Sequence, residues 1–135
     1  MGATVRWALV SAICLQLIPG GNSRSADQVW TSGAGLYRVS YVSDLDPIEI
    51  NRIHSWVIHV ETADGTPLEH AEMTLEGGMP EHDHGLPTKP LVTEYLGGGN
   101  YLVEGMRFHM SGDWEIAVAI RAGDDRDTCE ISLRL

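Results

Sequence analysis

The chain has 135 residues, a formal net charge of −10 and 43% hydrophobic residues. That length suffices for one domain with a hydrophobic core but not for two ordinary domains. The acidic balance excludes nucleic acid and anionic membrane surfaces as natural partners, and it favours attraction of cations.

The first 26 residues are predicted to be a secretory signal peptide. A charged residue, Arg6, precedes an apolar run from Trp7 to Ile18, and small residues follow a Pro/Gly break. The apolar run is about twelve residues long whereas a membrane span needs about twenty, so stable membrane insertion after signal cleavage is not expected. We therefore expect a periplasmic or secreted protein, in which residues 27–35, rich in Gly and Ser, form a flexible leader.

Residues 36–135 are predicted to form an all-β domain. Apolar and polar residues alternate with period two from Leu36 onwards, and helical periodicity is not found. Turn sequences separate the alternating runs, and the run Gly97 to Asn100 predicts a hairpin. About seven short strands, each with one apolar face, predict an immunoglobulin-like antiparallel β-sandwich after the signal peptide.

Three side chains are predicted to be buried in this sandwich. Trp56 and Trp114 lie on the apolar faces of alternating strands, and Cys129 shares a face with Ile131. Removal of the signal peptide also removes Cys14, so no internal disulfide is expected. Cys129 is interpreted as a buried and inert thiol.

The loop GMPEHDHGLPTKP, residues 78–90, suggests a metal site. In an extended segment, side chains two residues apart point the same way and stand about 7 Å apart at the backbone. His82 and His84 can therefore turn both imidazoles onto one ion, and Met79 adds a thioether. The alternative is a solvated loop tip, since loops collect polar residues.

A second cluster of donors lies in GMRFHMSGDW, residues 105–114, which contains Met106, His109 and Met110. Thioether sulfur is a soft ligand that selects Cu(I), and imidazole binds both copper oxidation states. In an oxidising compartment such a set avoids the oxidation that a thiolate site risks. Alternatively, the methionines fill the core of an ordinary strand and His109 faces away from them, unless a bulge near Gly112 brings them to one rim.

The other histidines, His54, His59 and His70, have no soft donor beside them in sequence and are not predicted as ligands. The chain contains no Gly-rich phosphate loop, no Gly-x-Ser-x-Gly and no His-Glu-x-x-His motif. Glu81 beside His82 is the one weak candidate for an acid–base pair. The protein is therefore not expected to be an enzyme.

Both donor segments also carry a family resemblance. GGMPEHDHGLPT and YLVEGMRFHMSGDW, within a region from about Tyr37 to Leu135, resemble the YtkA-like family, which is related to FixH-type proteins. The resemblance implies an exported or membrane-tethered immunoglobulin-like domain. It also implies a binding module without catalysis, in a family associated with copper handling or with maturation of copper-containing respiratory enzymes.

Together these features predict an exported copper-binding protein, a carrier or chaperone, that binds Cu(I) more tightly than Zn(II). The predicted ligands come from both segments: Met79, His82, His84, Met106, His109 and Met110. The predicted partners are the copper ion and a copper-requiring protein of the cell envelope. The alternative is a protein-interaction module of the envelope without metal, in which the histidines are rim residues of a contact surface.

Overall fold

The computed structural model describes residues 28–135, so the predicted signal peptide lies outside the described residues. Within residues 28–135 the chain forms nine β-strands: β1 Trp30–Thr31, β2 Tyr37–Ser43, β3 His54–Thr62, β4 Glu72–Met79, β5 His84–Gly85, β6 Leu91–Gly97, β7 Asn100–Met106, β8 Asp113–Ala122 and β9 Asp125–Arg134. Over the same residues, no helix is long and apolar enough to cross a membrane.

The strands form two antiparallel sheets. One sheet has five strands in the order β1-β2-β3-β7-β6, and the other has four strands in the order β5-β4-β8-β9. This arrangement confirms the predicted all-β sandwich. The two strands that the sequence pattern did not predict, β1 and β5, have two residues each. Strand β1 lies within the segment predicted as a leader.

The core lies between the two sheets, and side chains at alternate positions of the strands fill it. In β8, for example, every second side chain from Trp114 to Ile120 is buried. Trp56 is 0% exposed and Trp114 is 1% exposed, as predicted. Cys129 is also buried, and this burial raises the pKa of its thiol to about 11. The thiol therefore stays protonated at neutral pH, in agreement with an inert core residue.

Neighbouring strands bring the two donor segments to one end of the sandwich. Strand β4 ends at Met79, and the loop after it returns to pair through β5. Strand β7 ends at Met106, and residues 107–112 lead into β8. Because β4 and β8 are adjacent, with Gly78 opposite Glu115, the loop and the 107–112 segment start from neighbouring positions.

The irregularity of β7 occurs before Met106 and not near Gly112, where the sequence left a bulge open. The register with β3 shifts between His54 and Trp56, which places an extra residue in β7 between Val103 and Met106. Residues 107–112 lie outside the strand ladder altogether. The segment that carries His109 is therefore a connection between the two sheets and not a bulged strand.

Candidate metal centre

The three predicted histidine ligands lie in a row at this end of the sandwich. The ring centres of His82 and His84 are 6.4 Å apart, and those of His84 and His109 are 5.8 Å apart. A metal-bound imidazole nitrogen lies about 2 Å from the ion, so two ring centres that share one ion stand roughly 5 to 6.5 Å apart. Both separations fall in that range, and the closer pair joins the two donor segments.

His109 is half-buried, and its ring is held edge-on between two neighbours. The planes of His84 and His109 meet at 90°, and the Trp114 ring lies 5.5 Å from His109 at 75°. Within the described residues, Nδ1 of His109 is buried without a hydrogen-bond partner. A buried polar atom of this kind costs about 1 to 3 kcal/mol and is rare in folded proteins. This nitrogen is therefore a donor atom that nothing in the described residues uses.

Trp114 fixes the position of the 107–112 segment. Its indole Nε1–H donates a hydrogen bond of 3.0 Å to the carbonyl oxygen of Met110. The buried ring of Phe108 contacts the Trp114 ring at 5.2 Å. Backbone hydrogen bonds of 2.8 and 2.9 Å join Gly112 to Leu135. His109 is thus placed by packing and backbone contacts on both sides of it.

The three predicted methionine ligands differ in their surroundings. Met106 is 0% exposed and lies opposite His54 in the ladder between β3 and β7. It therefore occupies the core, which is the alternative that the sequence left open for it. Met79 is 3% exposed but pairs with His84 across β4 and β5. Directly opposed residues of antiparallel strands place their side chains on the same side of the sheet.

Met79 also reaches the second donor segment. A Cβ atom added at Gly112 would lie 2.8 Å from Cε of Met79. The terminal methyl group of Met79 therefore packs against Gly112 of the second donor segment. Met110 is half-buried and lies within that segment. The structure thus brings His84 next to His109 and places Met79 opposite His84 and against Gly112. Both Met79 and Met106 belong to the buried core, and Met106 lies opposite His54.

In residues 28–135, no group of three or more His, Cys, Asp or Glu side chains is arranged to hold a metal ion. His82, His84 and His109 form a row and not a cluster around one point. Besides imidazole, the two segments contain methionine sulfur as a possible metal donor. That combination suits copper, and it does not suit calcium or magnesium, which prefer oxygen ligands.

An acidic cleft of 430 Å³ adjoins the candidate centre. Met79 and His84 lie on its wall together with carboxylates from three strands and the loop: Glu76, Asp83, Glu115 and Glu130. Negative charge in a cleft raises the local concentration of cations. A larger cleft of 1060 Å³ lies further along the same sheet, near Arg121 and Asp127. It contains none of the predicted ligands, so the donors and not the cavity size locate the candidate site.

The remaining histidines make contacts away from the two donor segments, although Nε2 of the buried His54 has no partner among the described residues. His54 is buried, and its Nδ1 lies 3.0 Å from the carbonyl oxygen of Arg52. His59 hydrogen-bonds Asn100 and Glu61, and His70 packs on the ring of Tyr95.

Trp114 is the functional neighbour that sequence reasoning missed. Its alternation in β8 predicts burial and does not show that its ring also contacts His109. In HMSGDW the two small residues, Ser111 and Gly112, allow the chain to turn back between His109 and Trp114. This short spacing is the sequence signal for such a contact.

Comparison with known proteins gives one match. A family model described as YtkA-like matches residues 31–119, which include both donor segments. No curated protein and no solved structure shows a significant match.

Proposed function

The chain belongs to the YtkA-like family, and from this membership and the geometry of the candidate centre we propose that it is an exported copper-binding protein. It acts as a carrier or chaperone and not as an enzyme. One observation carries the proposal: His84 of β5 and His109 of the 107–112 segment lie with ring centres 5.8 Å apart, and Met79 pairs with His84 across β4 and β5.

The donor types support copper over other metals. His84 and His109 supply imidazole nitrogen, and Met79 supplies thioether sulfur. Methionine sulfur is a good ligand for soft Cu(I) and a poor one for the harder Zn(II). The proposed ligand set is therefore His84, His109 and Met79, joined by Met110, and it binds Cu(I) more tightly than Zn(II).

The exposed position of His82 supports a role in transfer of the ion. Its ring centre lies 6.4 Å from that of His84, and both residues are exposed. A carrier must release its cargo, and an exposed neighbouring imidazole offers a second binding position. The acidic cleft beside His84 would retain cations near the entrance. The receiving partner we propose is a copper-requiring protein of the cell envelope.

One observation favours the second candidate, a protein-interaction module without metal. His82 and His84 are exposed, and within residues 28–135 no three His, Cys, Asp or Glu side chains converge. In that case the loop and the 107–112 segment form a contact surface and the histidines are rim residues.

A pair of methionine variants tests the proposal. Met79→Leu and Met106→Leu both replace a buried thioether with a side chain of similar volume. Met79 pairs with His84 at the candidate centre, whereas Met106 lies opposite His54, so the second variant is a matched control. Competition with a Cu(I) chelator should show weakened Cu(I) binding for Met79→Leu and parent affinity for Met106→Leu. Zn(II) affinity should change little in either variant.

Two further variants complete the experiment. Met110→Leu should also weaken Cu(I) binding, because its sulfur lies in the segment of His109. Changing both His82 and His84 to Ala should also weaken Cu(I) binding, because the change removes both imidazoles that the 78–90 loop supplies. If all of these variants bind Cu(I) as tightly as the parent, the copper proposal fails and the interaction module takes its place.

A further inference from the structure

A continuous row of aromatic rings leads from the candidate metal centre through the core to the edge of the five-stranded sheet. Consecutive ring centres stand 5.5, 5.2, 6.1, 3.9 and 5.7 Å apart along the row His109, Trp114, Phe108, Trp56, Tyr41 and Trp30. The row begins beside the exposed histidines and ends in β1. It therefore connects two separate parts of the surface.

Exposure changes along the row in a simple way. Trp114, Trp56 and Tyr41 are buried, at 1%, 0% and 5% exposure, whereas Trp30 is half-buried. Three of the rings in this row are indoles, and indole is among the most easily oxidised side chains. Phe108 is not oxidised under the same conditions. Its ring contacts both Trp114 and Trp56, so a single ring separates these two indoles along the row.

The positions of the indole protons give the row a direction. Nε1 of Trp56 is buried without a hydrogen-bond partner among the described residues. If Trp56 loses an electron, its proton has no acceptor, so the ring remains a radical cation and is strongly oxidising. Nε1–H of Trp114 is bonded to a carbonyl oxygen, which is a weak base. Trp30 has access to solvent, so it can release its proton and become the less oxidising neutral radical.

We propose that this row carries oxidising equivalents away from the histidine end of the molecule to Trp30. A one-electron oxidant at His84 takes one electron from Trp114, and Trp56 returns one electron to Trp114. Trp30 then reduces Trp56 by way of the stacked ring of Tyr41 and releases its indole proton to water. A small-molecule reductant of the ascorbate class finally returns one electron to Trp30, and the proton is regained from water. The net reaction is reduction of the oxidant by the external reductant.

This function goes beyond metal binding and does not depend on it. Methionine sulfur and imidazole at the candidate centre are themselves open to oxidation. A row that removes the oxidising equivalent would spare Met79 and the histidines next to it. Such protection has value at a surface where oxidants meet an easily oxidised ligand set.

A photo-oxidant attached at one histidine tests the proposal without copper. The full chain would carry Trp7→Phe, His70→Gln and His82→Gln, and a ruthenium polypyridyl complex would be bound to His84. Flash oxidation of the ruthenium centre starts the reaction, and transient absorption distinguishes neutral from cationic tryptophan radicals. We expect the neutral radical to form, and mass spectrometry of a spin-trapped sample to locate it at Trp30.

Trp56→Phe in this background should abolish the radical at Trp30 and leave oxidation at Trp114. Tyr95→Phe, which alters a ring that contacts Tyr101 outside the row, is the matched control and should keep the parent signal. If Trp56→Phe does not fold, Trp30→Phe changes only a half-buried ring. The Trp30→Phe variant should show the radical cation of Trp56 in place of the neutral radical of Trp30. Parent-level neutral radical in either variant, or parent oxidation confined to the loop, would overturn the proposal.

Discussion

At one end of the sandwich, near the turn between β8 and β9, the Asp127 carboxylate accepts hydrogen bonds from Ser32 Oγ and from the backbone N–H groups of Ala34, Leu36 and Thr128. At the opposite end of β8, His109 Nδ1 is buried and has no partner within the described residues. The Asp127 carboxylate thus finds its hydrogen-bond partners within the protein, whereas His109 Nδ1 does not.

This difference separates a structural end from a binding end. The hydrogen bonds of Asp127 fix the connection that follows β1 and use the carboxylate fully. An unsatisfied buried nitrogen costs folding free energy. Four side-chain nitrogens of this kind occur in residues 28–135, on His54, Trp56, Arg107 and His109, and His109 is the one whose ring contacts the exposed His84. The unpartnered nitrogen beside His84 supports the proposed ligand site at the His109 end, whereas the hydrogen bonds of Asp127 contribute to stability.

The largest effect is expected in the core that both ends share. Trp56→Ala and Trp114→Ala should each lower the free energy of unfolding by about 3 to 5 kcal/mol, because each removes a fully buried indole. Urea denaturation measures the loss. Losses below about 1 kcal/mol in both variants would mean that these indoles do not fill a close-packed core.

A smaller effect is expected from a glycine that supports only the histidine end. A Cβ at Gly77 would lie 2.5 Å from Ile116 Cδ1 and 2.7 Å from Leu86 Cγ. Gly77→Ala should therefore push Leu86 away and cost about 1 to 3 kcal/mol, as overpacking does. Gly85→Ala is the control, since its nearest contact is 3.6 Å. Equal unfolding free energies for the two variants would contradict the close packing of the loop on β4.

A pH-dependent effect is expected at the Asp127 end. Partial burial by itself raises the pKa of Asp127, but hydrogen bonds from Ser32, Ala34, Leu36 and Thr128 outweigh it and lower the pKa. The stabilisation is therefore fully present above the unfolded-state pKa of about 3.9 and is lost as pH falls through the lower folded-state pKa.

Asp127→Asn should accordingly cost about 1 to 2 kcal/mol at neutral pH, a range reduced for solvent screening of a partly exposed group. The parent and the variant should approach equal stability under strongly acidic conditions. Asp124→Asn, an exposed turn residue, serves as the control and should follow the parent. A constant difference between parent and Asp127→Asn at all pH values would show that ionisation is not the cause.

The strands and the core could be predicted from the sequence because alternation is a local property. Trp56, Trp114 and Cys129 follow it and are buried as predicted. Strands β1 and β5 were missed because two residues are too few to show a period. The sequence suggested both donor segments for the same chemical reason, their mixture of thioether and imidazole.

The arrangement of the site could not be predicted in the same way. Contact between His84 and His109 depends on β4 pairing with β8, which joins residues far apart in sequence. Met79 and Met106 are alike locally, since both end alternating strands. Both are buried in the core, and tertiary contacts alone distinguish them: Met79 pairs with His84 and packs against Gly112, whereas Met106 lies opposite His54.

The smallest effect on stability, and the most direct test of the binding end, is expected from His109→Gln. Its unfolding free energy should stay close to that of the parent, while Cu(I) affinity in a chelator competition should fall at least about tenfold, since even partners of metal ligands contribute roughly 10- to 100-fold. His70→Gln, the control, should bind copper as the parent does. If His109→Gln binds Cu(I) with parent affinity, the unsatisfied nitrogen is not a ligand and the copper site does not lie at this end of the molecule.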